Sequence, residues 1–149
     1  LQASPMHDVG KIGIPDNILL KPGKLEPEEW EIMKTHSEIG ADIIGEHDTG
    51  IMKMAHAIAL THHEKWDGTG YPQGLKGNDI PIEGRISSIC DVFDALTSER
   101  PYKKSWSVEK AVEFINENAG NQFDSDLVRH FNDALDKILV IRKEHADPE

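Results

Sequence analysis

Apolar residues in this chain recur at steps of three and four, and that spacing commits most of it to helix. Ile86, Ile89, Cys90, Phe93 and Leu96 follow it, as do Leu127, Val128, Phe131, Leu135, Ile138 and Leu139. No segment alternates with period two for more than a few residues, so a sheet has no material to form from. Pro and Gly divide the helices. Pro27 suits a first helical position, Gly50 precedes the apolar run from Ile51 to His63, and Pro81 stands at the entrance of the next helix. Ser107 and Asp124 are placed to cap the last two. The expectation is an all-α bundle of about six or seven helices, in one domain spanning residues 1–149.

Local detail follows from the same signals. Residues 1–9 read as the last turns of a helix broken by Gly10 and Pro15, and Ser37 with Gly40 reads as a bend between two helices. The stripe holding Cys90, the single cysteine, predicts a buried thiol in a reducing compartment. No membrane span or secretory signal is present, which predicts a cytoplasmic domain. A formal net charge of −11 argues against docking on a nucleic-acid polymer or an anionic membrane. It leaves room for a small phosphorylated ligand, because bound metal ions reverse the local potential.

Eight histidines are many for 149 residues, and several stand beside acids or beside each other. His7-Asp8, His36 and His62-His63 fall at ends of helical segments, and Asp91 sits within an otherwise apolar helix. A buried aspartate is costly unless paired, hydrogen-bonded or bound to metal. Taken alone, His62-His63 reads as a satisfied helix end; with Asp8, His36 and Asp91 it reads as one wall of a metal site. Imidazole with carboxylate suits Zn, Fe, Mn or Ni. One carboxylate such as Asp8 can bridge two ions at the ~3.5–4 Å separation of two-metal hydrolases. Lys11 lies one turn beyond Asp8. Asp94 reads as orienting a neighbour or pairing with a base as readily as touching a metal. His47, His56, His130 and His145 read as structural or surface residues, and Trp30, Trp66 and Trp106 as packing.

His7-Asp8 with Gly10-Lys11, and His62-His63-Glu64 followed by Asp67-Gly68-Thr69-Gly70-Tyr71-Pro72, resemble the two signatures of the HD-GYP family. This family is a branch of the HD-domain metal-dependent phosphohydrolases. The resemblance extends through Lys34-Thr35-His36, Asp91 to Ser98, and Arg100-Pro101-Tyr102-Lys103. It implies an all-helical HD fold and hydrolysis of cyclic di-GMP, to pGpG or GMP, by two divalent metal ions, three in some members. Iron is frequent, with Mn, Zn or Ni as alternatives. The implied ligands are His7, Asp8, His36, His62, His63 and Asp91, with Asp8 bridging. Lys11 would lie beside the scissile phosphate, Arg100 and Lys103 would hold the nucleotide, and Gly70 and Tyr71 would shape the pocket wall. Gly70-Tyr71-Pro72 would also meet partner signalling domains, and a sensory or receiver domain would precede the catalytic one.

The family's upstream histidine has no counterpart here, since the chain starts six residues before His7. An impaired, N-terminally truncated and self-associating fragment is therefore expected. The alternatives are a cyclic di-GMP-binding or protein-interaction module with little catalysis, or an HD phosphohydrolase for another cyclic dinucleotide or a phosphomonoester.

Overall fold

The computed structural model describes residues 6–99 and 103–144. Among them are seven α-helices and no β-strand: α1 (Asp16–Leu19), α2 (Pro27–Lys34), α3 (His36–Ile44), α4 (Gly50–Thr61), α5 (Ile82–Thr97), α6 (Val108–Glu117) and α7 (Ser125–Glu144). Short 3-10 segments run over Val9–Gly13 and Gly77–Asp79. No described helix is long and apolar enough to cross a membrane.

The helix starts obey local chemistry. Pro27 opens α2 where its missing N–H costs nothing, and Glu29 accepts the Glu26 N–H at 2.8 Å. Ser107 Oγ accepts the Lys110 N–H at 3.2 Å, and Asp124 Oδ1 accepts the Asp126 N–H at 2.9 Å. Both expected caps are formed.

Two apolar clusters hold the helices together. Ile89, Phe93 and Leu96 of α5 pack with Ala111 and Ile115 of α6, Phe123, and Val128 and Phe131 of α7. Ile44 of α3 and Ala55, Ile58 and Ala59 of α4 form the other, with Met6 and Val9 against it. Gly84 of α5 has no room for a side chain beside Thr61 of α4, so these two helices cross closely. The loop between α4 and α5 is tied to the far cluster. Trp66 and Asp67 N–H groups donate to the carbonyls of Gln122 and Asn121 at 3.1 and 2.8 Å. Arg85 donates to Asp124 at 2.7 Å and to the Ile80 carbonyl at 2.9 Å.

Several sequence expectations change. Of residues 1–9, residues 1–5 lie outside the described residues, and His7 and Asp8 stand on a turn entering the 3-10 segment, with Gly10 pressed against the backbone of α3. Ser37 and Gly40 lie buried inside α3, and the break falls earlier, at Thr35, so His36 opens α3. Periodicity finds the face but not its width. Ile89, Phe93 and Leu96 are buried, whereas Ile86 and Cys90 are exposed, rotated toward an apolar groove shared with Leu127 and Ile138 of α7. The expected buried thiol is thus an exposed one. In α4 the buried residues are Ala55, Ile58, Ala59 and Thr61; Ile51, Met52 and Met54 are exposed.

Candidate metal centre

The site forms where α3 and α4 face α5. Three elements deliver its histidines and Asp8: the turn before Val9, the start of α3, and the end of α4 with the residues just after it. Asp91 comes from the middle of α5. Asp8, His36, His62 and His63 place one ligand atom each within 4.8 Å of one another, and His7, His62 and Asp91 do the same. The six residues expected as ligands are therefore together.

Asp8 joins the two groups. Its Oδ1 lies 3.6 Å from His36 Nε2 and 3.5 Å from His62 Nε2, while its Oδ2 lies 3.0 Å from His7 Nε2 and 3.3 Å from Lys11 Nζ. His7 Nε2 is in turn 3.5 Å from Asp91 Oδ1. Such a carboxylate faces a different set of nitrogens with each oxygen, as a bridging ligand does.

The imidazoles are oriented from behind. His36 Nδ1 donates to the Met33 carbonyl at 2.7 Å, and His62 Nδ1 donates to the Ile58 carbonyl at 2.8 Å. A carbonyl can only accept, so each ring carries its proton on Nδ1 and turns a bare Nε2 into the site. His62 Nε2 is buried without a hydrogen-bond partner, and His36 and His63 bring their Nε2 atoms to 3.1 Å. The bare Nε2 atoms of His36 and His62, both close to Asp8 Oδ1, fit a cation, and an imidazole–carboxylate set fits a transition metal.

The electrostatics favour the ligand-ready forms of Asp8, His63 and His36, though not of Asp91. Burial alone would raise the Asp8 carboxyl, but the close approach of the His62 and His7 rings and the charges of His7 and Lys11 hold it well below the usual carboxylate range. Burial, aided by repulsion from His62 and His36, pushes His63 down to about 3. Burial also lowers His36, against the Met33 carbonyl. Asp91 is raised by burial, despite the attraction of His7 and His62.

A pH dependence follows for the metal-free protein. An unfolded histidine takes a proton near its ordinary value of about 6.5, whereas folded His63 resists until about 3. Its contribution to stability is whole above the unfolded value and drains away as pH falls toward the folded one. His36 acts in the same sense, Asp8 adds to it below the ordinary carboxylate value, and Asp91 opposes it. The melting temperature of the metal-free protein is therefore expected to fall between about pH 7 and about pH 5. A flat melting profile across that window would contradict the assignment.

Above the cluster lies a cavity of about 470 Å³ lined by His7, Asp8, Lys11, His62, His63 and Asp91, among others. His36 lies beneath, 3% exposed. Tyr71 is part of the wall, and Gly70 packs so tightly on the backbone of residues 63–65 that a Cβ there would collide with it. Lys103 Nζ sits 5.7 Å over the Trp106 ring and does not line the cavity. Arg100 lies outside the described residues. Asp94 is exposed at the cavity edge, where it accepts Ser98 Oγ at 3.2 Å.

The sequence reading overlooked Trp30, Ser88 and Gln122. Trp30, expected to be packing, is 44% exposed at the cavity with its ring edge-on to Tyr71, centroids 6.0 Å apart. Its place in the i, i+3 apolar pattern of α2 carries no sign of this. Ser88 and Gln122 also line the cavity. Ser88 lies one helical turn before Asp91, a spacing that puts both on one face of α5 and was a usable signal.

The sequence pattern of the HD domain family matches residues 2–127. A 3'3'-cGAMP-specific phosphodiesterase of Vibrio cholerae is 49% identical over 97% of this chain and 28% of its own length. A cyclic di-GMP phosphodiesterase of Thermotoga maritima is 46% identical over 99% of this chain and 40% of its own. The chain thus spans less than half the length of these curated relatives. In three dimensions it matches the crystal structure of a cyclic GMP-AMP-specific phosphodiesterase of V. cholerae with TM-score 0.64 at 20% identity, over 95% of this chain and 38% of that one. That likeness shows the fold, and the profile and sequence relatives show the lineage. The chain belongs to the HD domain family, in the branch whose His-Asp and Gly-Tyr-Pro signatures it carries.

Proposed function

We propose that this chain is the catalytic part of a metal-dependent phosphodiesterase that hydrolyses cyclic di-GMP to pGpG or GMP. The observation that carries the reading is Asp8, whose two oxygens face separate imidazole groups on the floor of an open cavity. His36, His62, His63 and Asp8 would hold one divalent ion, and His7, Asp91 and Asp8 the other; iron, manganese, zinc and nickel all suit these donors. Bound there, the ions would supply positive charge for the phosphate oxygens and lower the pKa of the attacking water.

The chain's own residues do the remaining work. Lys11 reaches the cavity beside Asp8 and can offset negative charge building on the phosphate. Asp8 in turn fixes the Lys11 ammonium at the cavity floor. Tyr71 keeps its proton, since burial and then the Asp8 charge raise its phenol above the ordinary value, so it presents a neutral wall to an anionic substrate. Arg100 and Lys103 remain candidates for the outer part of the nucleotide. The reading includes a sensory or receiver domain in the parent protein, a cytoplasmic signalling role, and Gly70-Tyr71-Pro72 as a contact for other signalling domains.

A second reading keeps the chemistry and changes the base, because one close relative is named for 3'3'-cGAMP. Incubating the Mn²⁺-loaded chain separately with cyclic di-GMP, 3'3'-cGAMP and a phosphomonoester decides between them. Linear pGpG or GMP should appear fastest from cyclic di-GMP. Preferred cleavage of 3'3'-cGAMP would establish the second reading, and tight nucleotide binding without any product would identify a binding module.

A further inference from the structure

Glu64 follows the paired histidines directly and is 2% exposed, yet it does not belong to either ligand group. A buried carboxylate is costly unless its oxygens are satisfied. Here Oε1 accepts the Gln73 N–H at 2.7 Å and Oε2 accepts the Leu75 N–H at 2.9 Å. Both oxygens are thereby spent on one limb of the loop that follows. The other limb is fixed where the Tyr71 N–H donates to the His63 carbonyl at 3.2 Å, with Gly70 pressed against the backbone of residues 63–65.

Between those limbs the Tyr71 ring lies stacked on His63, centroids 4.9 Å apart and planes 17° apart. His36 and His62 are each held by an Nδ1–H bond to a helix carbonyl. Among the described residues no such bond holds His63. Metal-ligating histidines ordinarily depend on a partner of that kind for ring orientation. In its place His63 has the face of Tyr71.

We propose that Glu64 is a positioning residue for the ligand His63, acting through the loop that lays Tyr71 flat against the imidazole. The inference rests on reading the cluster as a metal site. Its chemistry requires a carboxylate at position 64 and an aromatic ring, but no hydroxyl, at position 71.

Titration calorimetry of the metal-free chain with Mn²⁺ tests it, with folding followed by circular dichroism. Glu64→Gln and Tyr71→Ala should each weaken binding by about 10–100-fold, the range seen when a ligand's supporting partner is lost. Tyr71→Phe should bind as the unmodified chain does. The double variant should be no weaker than the poorer single one, because both changes remove the same support. Multiplying losses, or unmodified affinity in Tyr71→Ala, would overturn the inference. If Glu64→Gln does not fold, the contrast between Tyr71→Ala and Tyr71→Phe decides on its own: a weak Ala variant beside an unaffected Phe variant supports the proposal, and two equal ones overturn it. Failure of the unmodified chain to bind Mn²⁺, Zn²⁺ or Fe²⁺ would overturn the metal reading and this inference with it. Normal binding with unaffected variants overturns the inference alone.

Discussion

Asp8→Ala is expected to abolish turnover and metal retention together. Asp8 is the one residue whose two oxygens face both ligand groups: Oδ1 toward His36 and His62, Oδ2 toward His7 and Lys11. Without it, three imidazoles on one side and His7 with Asp91 on the other share no oxygen. The expected loss in kcat/KM is at least about a thousandfold, or some 4 kcal/mol of transition-state stabilisation. Asp8→Asn separates charge from shape. An amide offers one oxygen and one NH₂, so one ligand group keeps an acceptor while the other meets a donor. That variant should retain at most part of the metal and still turn over poorly. Elemental analysis beside a cyclic di-GMP hydrolysis assay reads both quantities. Full activity in Asp8→Ala would end the bridging role. Asp8 is partly exposed, with 37% of its side chain accessible, so loss of fold is not the expected cause of either effect.

The parts of this site legible in the sequence are those whose chemistry is local. His7-Asp8 and His62-His63 are neighbours in the chain, and a motif can carry them because their joint placement needs only one turn or one helix end. The caps at Ser107 and Asp124 are legible for the same reason, each acting on an N–H two or three residues away. What spacing does not report is which side of a helix another element covers. Ile86 and Cys90 share the period of Ile89 and Phe93 but not their neighbours, so one pair is exposed and the other buried. Trp30 fails similarly: its position in α2 fits packing, and only the arrival of Tyr71 from a distant loop makes it part of a cavity wall. Glu64 is the sharpest case. Its role depends on amides nine and eleven residues onward, in a loop with no periodicity to betray where it folds back.

Gly10→Ala is expected to cause the largest loss of stability of any single-methyl change near the site. Gly10 is buried where the 3-10 segment crosses α3, and a Cβ built there would run into the His36 carbonyl oxygen and the Gly40 N–H. Both obstacles are backbone, so neither can rotate away. Adding a methylene to a packed core typically costs about 1–3 kcal/mol, and rigid neighbours put this case at the upper end or beyond. For a chain of this size about 3 kcal/mol lowers the melting temperature by roughly 10 °C. Gly13→Ala is the matched control. Its Cβ would meet only the Ile39 side chain, at 3.0 Å or more, and that group can move aside. The site should suffer with the fold, because the same close crossing brings Asp8 Oδ1 to 3.6 Å from His36 Nε2. Pushing the segment off α3 separates the bridging carboxylate from the buried imidazole, so metal retention in Gly10→Ala should drop even below its melting temperature. Thermal melts and metal content of the two variants, measured side by side, check this. If Gly10→Ala melts with Gly13→Ala and keeps its metal, then the glycine contact does not set the distance between the His-Asp turn and α3.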